Sequence, residues 1–365
     1  MSKAELPNGH LDYWIAENLR FWLQVDMSKD FVSLLASRID FFKRCLKSNY
    51  PNYLARGVIK LVQAILAKCN SRSRYCLTTL LKRIQPRLTQ AKIFTCNDRN
   101  FCDEFSDIKT RLGAPGIDWN GHRAAICISH DIDYQRGFEF SVEMARLDNQ
   151  FGIPSVFNVL TQGDYSLNSE FIAQLKKQNA EIGLHGATHD IGFGYLKRGR
   201  IENDLTRAIS SLPAKVSGFR APALSFSFEL ISILSNMGFE YDSSFRAFDK
   251  KTGQVKVFFP FRYPSLSIWE LPVTVQDTDF FRDMRLSDDE SFKLLRYLVE
   301  KVISCGGVAV FNFHPCIMRE NIAFYLRFLE HLNGTKKNGV WFTTMGELVR
   351  FLKAAMPQKK DLFYV

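Results

Sequence analysis

The spacing of apolar residues divides the chain into two regions of different texture. Between residues 11 and 90, apolar positions recur at helical intervals and predict segments near 11–25, 30–47, 53–69 and 74–87. In the third segment, a single stripe along the helix is formed by Leu54, Val58, Leu61, Val62 and Ile65. Polar breaks, "SNYPNY" and "NSRSR", separate the segments. This region is therefore predicted to be a small, mainly helical unit.

Beyond the connector "RLGAPGIDWNGH" at residues 111–122, short apolar runs alternate with helical patterns. The runs are "AAICIS", "PSVFNVL", "AEIGLH", "SGF", "IWELPV", "GVAVFNFHP" and "GVWFTT". The helices are predicted near 139–150, 169–178, 201–211, 227–237, 288–304, 321–333 and 345–354. This alternation is typical of a parallel sheet with outer helices, and about seven such units predict an α/β barrel. The predicted boundaries are 1–115 for the helical region and connector, 116–356 for the barrel, and 357–365 for a tail.

The composition is that of a soluble globular protein, with 46% hydrophobic and 24% charged residues among 365. No apolar run reaches the roughly 18 residues that a membrane span needs, and the opening "MSKAELPNGH" lacks the apolar stretch of a secretory signal. A cytoplasmic protein is therefore expected. The eight cysteines are spread without a C-x-x-C pair, which predicts reduced structural thiols.

The formal net charge of +10 is placed unevenly along the chain. From Phe41 to Asn97 there are twelve lysines and arginines and no acidic residue. Two interpretations remain open: a helical subdomain that packs on its neighbour, or a basic amphipathic surface that contacts anionic lipid at the inner face of the membrane. The stretch contains no recognisable nucleic-acid-binding motif, so no nucleic acid partner is expected.

Polar groups of complementary type follow four of the predicted strands. These are "SHDID" at 129–133, "HGATH" at 185–189, "FRAP" at 219–222 and "FHP" at 313–315. In a parallel α/β barrel, functional groups collect at the carboxyl ends of the strands. The four motifs are therefore expected to meet at one end of the barrel.

The first two motifs together suit a metal ion. Asp131 and Asp133 lie two apart in an extended chain, so their side chains share a face that His130 does not, and their mutual repulsion calls for a cation. His185 and His189, four residues apart, can add two imidazoles to the same ion. Two histidines and one carboxylate suit zinc or a similar divalent metal that activates a water.

The remaining groups suit acid–base work beside that metal. One aspartate of the pair can stay free as a general base, and Arg220 is the natural group to hold its pKa. His314, followed by the rigid Pro315, fits the acid that protonates a leaving group.

These motifs resemble those of the polysaccharide deacetylase family, the NodB-homology domains of carbohydrate esterase family 4, over about residues 120–350. The resemblance implies a distorted seven-stranded (β/α) barrel. It also implies roles for the polar residues: Asp131 as base, Asp133, His185 and His189 as metal ligands, Arg220 orienting the base, the Ala223 amide in the oxyanion site, and His314 as acid.

Three departures from the family pattern stand out. Ile132 separates two aspartates that are usually adjacent, a D-x-D form of a branch that includes peptidoglycan and cyclic-amide hydrolases. Gly186 replaces the hydroxyl residue of the second motif. The fourth motif, which lines the acetyl pocket and partners the acid, is not clear, and Asp242 and Trp269 are the candidates for it.

The resemblance implies metal-dependent removal of the N-acetyl group from an amino sugar in a cell-surface glycan or its lipid- or nucleotide-linked precursor. Zn²⁺ is the metal expected first, with Co²⁺, Ni²⁺ or Mn²⁺ as alternatives. A second interpretation keeps the metal site but hydrolyses a cyclic imide, a ureide or a sugar O-acetyl ester. A third makes the chain a non-catalytic basic protein that binds membrane surfaces.

Overall fold

The computed structural model describes residues 10–26, 28–46, 101–249, 254–263 and 265–355, and its elements are numbered within them. The helices are α1 (His10–Leu23), α2 (Lys29–Ala36), α3 (Ile39–Leu46), α4 (Phe101–Arg111), α5 (Gln135–Gln150), α6 (Ser169–Lys177), α7 (Arg198–Ser211), α8 (Phe228–Asn236), α9 (Asp288–Cys305), α10 (Pro315–Met318), α11 (Ile322–Thr335) and α12 (Met345–Ala355). The strands are β1 (Ala124–Ile132), β2 (Ser155–Val159), β3 (Glu181–Leu184), β4 (Gly218–Phe219), β5 (Tyr241–Asp242), β6 (Phe248–Asp249), β7 (Gln254–Val255), β8 (Phe261–Arg262), β9 (Trp269–Glu270), β10 (Val273–Gln276), β11 (Val308–Phe313) and β12 (Val340–Phe342).

The predicted barrel is confirmed. Neighbouring strands follow the order β10, β11, β1, β2, β3, β4, β5, β9, β8, and β12 pairs with the first residues of β1. Every pair in this path is parallel except β8 with β9. All nine residues of β1 are buried, as expected for a strand with both faces covered.

The ring of strands closes through one extended segment. β9 and β10 are separated only by Leu271 and Pro272, and they pair with β5 and β11 respectively. Proline cannot donate to a ladder, and the register also shifts between Val273 and Val275. Counting β9 and β10 as one position, seven strands surround the axis, which agrees with the expected distorted (β/α)₇ barrel.

Helix α12 closes the barrel at the amino ends of the strands. There the half-buried carboxylate of Glu181 accepts hydrogen bonds from the Gly346 N–H and the Tyr241 hydroxyl, each at 2.8 Å. Tyr241 reaches it across Gly218, where an added Cβ would lie 1.8 Å from the tyrosine ring. Glycine is therefore required at position 218 for a tyrosine to cross the interior.

The amino-terminal helices pack on β8, the last strand of the path. The Trp14 and Trp22 indoles donate to the backbone oxygens of Arg262 and Pro260 at 2.8 and 2.9 Å. The Trp22 ring also stacks on Phe259 with 5.1 Å between centroids. The predicted boundary near residue 115 stays a prediction.

The helical region differs from its prediction in two respects. A single helix was expected over 30–47, but α2 and α3 are separated by Ser37 and Arg38. The Ser37 hydroxyl donates to the Leu34 carbonyl at 2.7 Å, and such competition with backbone bonds favours a helix end. Helix α4 was not predicted, although Phe101, Phe105 and Ile108 bury one face of it.

Some sequence predictions fall outside the described residues. The helices predicted near 53–69 and 74–87, most of the basic stretch 41–97 and the tail 357–365 lie there. Within the described part, no helix combines the length and apolar character that crossing a membrane requires. Five cysteines there are free thiols, in line with the prediction: Cys45, Cys102, Cys127, Cys305 and Cys316.

Candidate active site

The predicted metal ligands come together at the carboxyl ends of β1 and β3. Asp133 Oδ1 lies 3.3 Å from the Nε2 atoms of both His185 and His189. One ligand atom from each of the three residues falls within 4.8 Å of the others. This is the spacing of a three-ligand metal site with further positions open.

The second motif is shaped by its backbone. His185 Nδ1 lies 2.8 Å from the Arg220 carbonyl, which can only accept, so Nδ1 carries a proton and Nε2 is the nitrogen that faces Asp133. Gly186 has φ +106°, a conformation that side-chain-bearing residues rarely adopt. The departure of this position from the family pattern therefore follows from the turn that carries His185 to His189.

The pKa values of the three predicted ligands are shifted by burial and by the charges around them. Burial alone would lower the pKa of His185, but the carboxylates of Asp131 and Asp133 outweigh it and raise that pKa. Burial dominates at His189 and lowers its pKa, which favours the neutral imidazole that can bind a metal. The pKa of Asp133 is lowered because the neighbouring histidines outweigh its burial.

Asp133 also shows that the site suits a cation. Among the described residues, its buried Oδ1 has no hydrogen-bond donor, and it faces two imidazole nitrogens instead. A buried carboxylate oxygen without a donor is costly unless a cation takes that place. One carboxylate and two imidazoles are ligands that Zn²⁺ and similar metals prefer, so these three residues would hold the ion.

Asp131 is held differently, within a net of donors. Its Oδ1 accepts from Asn158 Nδ2 at 2.8 Å and from Arg220 at 3.1 Å, and its Oδ2 accepts from Asn312 Nδ2 at 2.7 Å. Burial opposes ionisation, but the charge of Arg220, nearby histidines and Asn158 hold the pKa of Asp131 well below its usual range. Asp131 is therefore a fixed carboxylate beside the predicted ligands.

Arg220 is fully buried and organises this net. Its Nη1 donates to Ser129 Oγ and Asn312 Oδ1, both at 2.7 Å, as well as to Asp131. On its other side, Nε and Nη2 donate to the backbone and hydroxyl oxygens of Ser243 at 2.9 and 2.8 Å. The guanidinium thus contacts the carboxylate of Asp131, and the role of orienting a base, which the resemblance implies, stays a prediction.

The partner of His314 is Asp277. Oδ1 of Asp277 lies 2.6 Å from His314 Nδ1, and its Oδ2 accepts the His314 backbone N–H at 2.6 Å. Burial lowers the pKa of His314, but Asp277 and Asp133 outweigh it and raise the pKa to about 10. The Nε2 atom faces the cluster, 3.7 Å from Asp133 Oδ2, so an imidazole with a raised pKa lies beside the predicted metal ligands.

The predicted candidates for the partner of His314, Asp242 and Trp269, lie elsewhere. Tyr241 points into the barrel, so strand alternation turns Asp242 outward, where Ser244 donates to it at 2.7 Å. Trp269 packs against Phe21 with 5.9 Å between ring centroids. Both positions follow from the two-residue strands that carry them.

Two features frame the open side of the cluster. Ala223, predicted for the oxyanion site, has φ 54° in the short turn Pro222–Leu224, and Pro222 lies beside Gly186. Tyr134 is 46% exposed, and its ring centroid lies 5.8 Å from that of His189. The "RAPA" turn and Tyr134 therefore border the same cluster.

Three site residues were absent from the sequence prediction: Asn158, Asn312 and Asp277. The two asparagines had a signal, because each interrupts an apolar strand, in "FNV" and "FNF". Asn158 also faces Gly183, where an added Cβ would lie 2.2 Å from its Oδ1. Asp277 lies 37 residues before its partner, and nothing in its local pattern marks it.

Comparison with solved structures identifies the fold of the barrel. A protein from Mycobacterium smegmatis described as a polysaccharide deacetylase matches with a TM-score of 0.55 and 20% identity, over 64% of this chain and 91% of that chain. One from Pseudomonas aeruginosa PAO1 with the same description matches with a TM-score of 0.56 and 14% identity, over 66% and 95%. The barrel has the polysaccharide deacetylase fold.

The allantoinase PuuE shares that fold, with a TM-score of 0.53 and 16% identity over 66% of this chain and 94% of that chain. No protein-family model matches the sequence, and no curated protein does. The polysaccharide deacetylase fold thus hosts more than one hydrolysis among these neighbours, and the substrate has to be argued from the site. The D-x-D branch, predicted from Ile132, stays a prediction.

Proposed function

We propose that the protein is a metal-dependent hydrolase that removes the N-acetyl group from an amino sugar of a glycan or its precursor. The observation that carries this proposal is the cluster of Asp133, His185 and His189 beside a fixed carboxylate, Asp131, and an imidazole, His314, whose Nε2 faces the cluster. A base, an acid and a cation site within one cluster are the components that amide hydrolysis needs.

Each residue has a defined part in this reaction. When bound, a divalent cation such as Zn²⁺ supplies Lewis acidity that lowers the pKa of a water and polarises a carbonyl. Asp131 accepts the proton of the attacking water, with Arg220 holding the carboxylate in place. The Ala223 N–H is the proposed donor to the developing oxyanion.

His314 protonates the departing amine. Its Nδ1 is engaged by Asp277, so the proton that can be transferred is on Nε2, the nitrogen that faces the cluster. Acetate and a free amine are the products. The carboxylate of Asp277 raises the pKa of the acid, His314, whereas Arg220 lowers that of the base, Asp131. These opposite environments separate the two proton-transfer roles.

A second candidate function rests on the allantoinase among the neighbours. The same residues could open a cyclic amide or ureide, because the ring carbonyl would take the place of the acetyl carbonyl and the ring nitrogen that of the leaving amine. A sugar O-acetyl ester is a third substrate class for the same site. We favour the N-acetyl sugar because two of the three neighbours above are described as polysaccharide deacetylases.

The test is an acetate-release screen with purified, metal-loaded protein. The substrates are N-acetylated sugars in free, nucleotide-linked and polymeric form, with O-acetylated sugars and allantoin as the comparison classes. Acetate released from an N-acetyl sugar, and lost in Asp131→Asn, supports the proposal. Ring opening of allantoin without acetate release would replace it with the second candidate.

The predicted contact of residues 41–97 with anionic membrane remains a proposal of its own. It is supported by the charge of that stretch, twelve basic residues without an acidic one. Co-sedimentation with vesicles containing anionic lipid, at low and high salt, tests it. Binding that is insensitive to salt, or to neutralising Arg72, Arg74, Lys82 and Arg83, would remove the electrostatic explanation.

A further inference from the structure

Behind the site, on the outer face of β1, lies a buried polar cluster that the proposed reaction does not use. It consists of His130, Asp148 of α5 and Tyr325 of α11, each fully buried. His130 Nε2 lies 2.9 Å from Asp148 Oδ2, and the Tyr325 hydroxyl donates to Asp148 Oδ1. The cluster therefore ties two outer helices to the strand that carries Asp131.

The second nitrogen of His130 reaches the neighbouring strand. Its Nδ1 lies 3.2 Å from the Phe313 carbonyl oxygen, and Phe313 is the partner of His130 in the last pair of the β1–β11 register. The next residue of β1 is Asp131, and the residue that directly follows β11 is His314. The imidazole thus joins the two strands where the proposed base and acid leave them.

The contacts of the ring allow one orientation. Nδ1 faces the carbonyl oxygen of Phe313 and Nε2 faces the carboxylate of Asp148, so both ring nitrogens have a hydrogen-bond partner. Aromatic rings also enclose the imidazole: the centroid of Phe157 lies at 4.5 Å and that of Tyr325 at 6.1 Å. A rotated ring would lose both hydrogen bonds inside the core.

Stability alone does not account for such a cluster. Replacing a buried ion pair with apolar side chains of similar volume often leaves stability unchanged or improves it. The hydrogen bonds of the imidazole fix the distance and direction between the groups that it joins, which an apolar ring would not do. We therefore ask what this cluster fixes in the geometry of the strand ends.

We propose that His130, oriented by Asp148 and Tyr325, is a positioning residue that sets the separation of Asp131 and His314. The expected effect on kcat rests on the proposed function, whereas the expected effect on the position of His314 does not. Of the proposed metal ligands, His185 and His189 follow β3, two strands away from β1, whereas Asp133 follows β1 itself, so the kinetic test is made with zinc-saturated protein.

Two variants of His130 test its hydrogen bonds to Phe313 and Asp148. His130→Phe keeps a ring and loses both hydrogen bonds, whereas His130→Asn can place its amide near Nδ1 and keep the bond to Phe313. We expect His130→Phe, assayed in zinc-saturated form, to lower kcat by about 10- to 100-fold with KM unchanged, a loss typical of misplaced catalytic groups. His130→Asn should recover most of that loss.

A second readout does not need turnover. In zinc-loaded protein labelled with ¹⁵N-histidine, the ring nitrogen signals of His314 should shift in His130→Phe and return toward their original positions in His130→Asn. His331→Phe, which alters a ring against Phe292 on the other side of α11, is the matched control and should leave them unchanged.

The outcomes separate the inference from the proposed function. If the His314 signals are the same in His130→Phe as in the native protein, or if His130→Asn restores neither signals nor kcat, the positioning role is wrong. If the signals respond as expected but no acetylated sugar is hydrolysed, the positioning role stands and the proposed function fails. Circular dichroism confirms that each variant is folded.

Discussion

The two ends of the barrel each contain an inward-facing carboxylate, and they differ in how its oxygens are used. At the amino ends, both oxygens of Glu181 accept hydrogen bonds, from Tyr241 and Gly346. At the carboxyl ends, Asp133 Oδ1 has no donor among the described residues and faces two imidazoles. A carboxylate in the interior is common to both ends, so it does not identify the site; an unsatisfied oxygen that faces two imidazoles does.

Removing the unpartnered carboxylate should have the largest effect. Asp133→Asn replaces a metal-binding oxygen with an amide, so we expect zinc content to fall and acetate release to drop by about 1,000-fold or more. Elemental analysis and an acetate assay measure the two effects. Full zinc content in Asp133→Asn would show that Asp131 is the ligand instead.

The acid should be next in size. Asp277→Asn removes the carboxylate that fixes the His314 imidazole and supports its proton, and we expect kcat to fall by about 100-fold while zinc content is retained. Steady-state kinetics on the best substrate of the screen measures this. A matched control is Asp242→Asn, which changes the outward-facing aspartate first considered for the role; an equal loss in that variant would contradict the assignment of Asp277.

A third test addresses a carboxyl pair outside the site. Asp242 and Glu270 are partners in the β5–β9 register, and both are fully buried. Burial and their mutual repulsion raise the pKa of Glu270 well above its usual range, and burial raises that of Asp242 to about 6. The folded protein therefore keeps protons that the unfolded chain releases near pH 4, and the pair's contribution to stability is lost as pH rises through these raised values.

Glu270→Gln mimics the protonated acid and should remove its share of this pH dependence. Near pH 4 the variant and the native protein should melt at similar temperatures. At pH 7.5 the variant should be relatively more stable, by on the order of 1–3 kcal/mol. Thermal melts at both pH values measure the difference in stability between the variant and the native protein. The contributions of the other titrating groups are common to both proteins and cancel in this difference. A difference that does not change with pH would mean that Glu270 is ionised in the fold.

The smallest effect is expected at the amino ends of the strands. Glu181→Gln exchanges one acceptor for a donor between Tyr241 and Gly346, so we expect a loss of about 1 kcal/mol in the free energy of unfolding. Zinc content and kcat should be unchanged, because the residue is at the opposite end from the site. Urea unfolding and the acetate assay measure both. Loss of kcat there would mean that the two ends are coupled.

Much of the fold could be predicted from the sequence because long apolar runs and amphipathic helices repeat with regular spacing. The helix predicted near 169–178 is observed as Ser169–Lys177, and the run "GVAVFNFHP" contains β11. The two-residue strands β5 and β8 were missed, since a segment this short has no periodicity to detect. Helix α4 did have a helical pattern, but it falls beside a connector.

The site was predictable to the extent that its residues follow strands with clear patterns. "SHDID", "HGATH" and "FHP" come directly after such strands, so their meeting followed from the barrel. Asn158, Asn312 and Asp277 act across strands, and their partners depend on register and on the irregular segment after Pro272. Cross-strand contacts of this kind are decided by packing, which the local sequence does not encode.

The indoles of Trp14 and Trp22 have a consequence for assembly. They donate to the backbone oxygens of Arg262, in β8, and of Pro260, directly before it, and β8 is the last strand of the path, where a further strand would add. An uncovered strand edge is a template for pairing with another molecule. A chain without its first helix would therefore expose that edge, so the helical region serves colloidal solubility as well as packing.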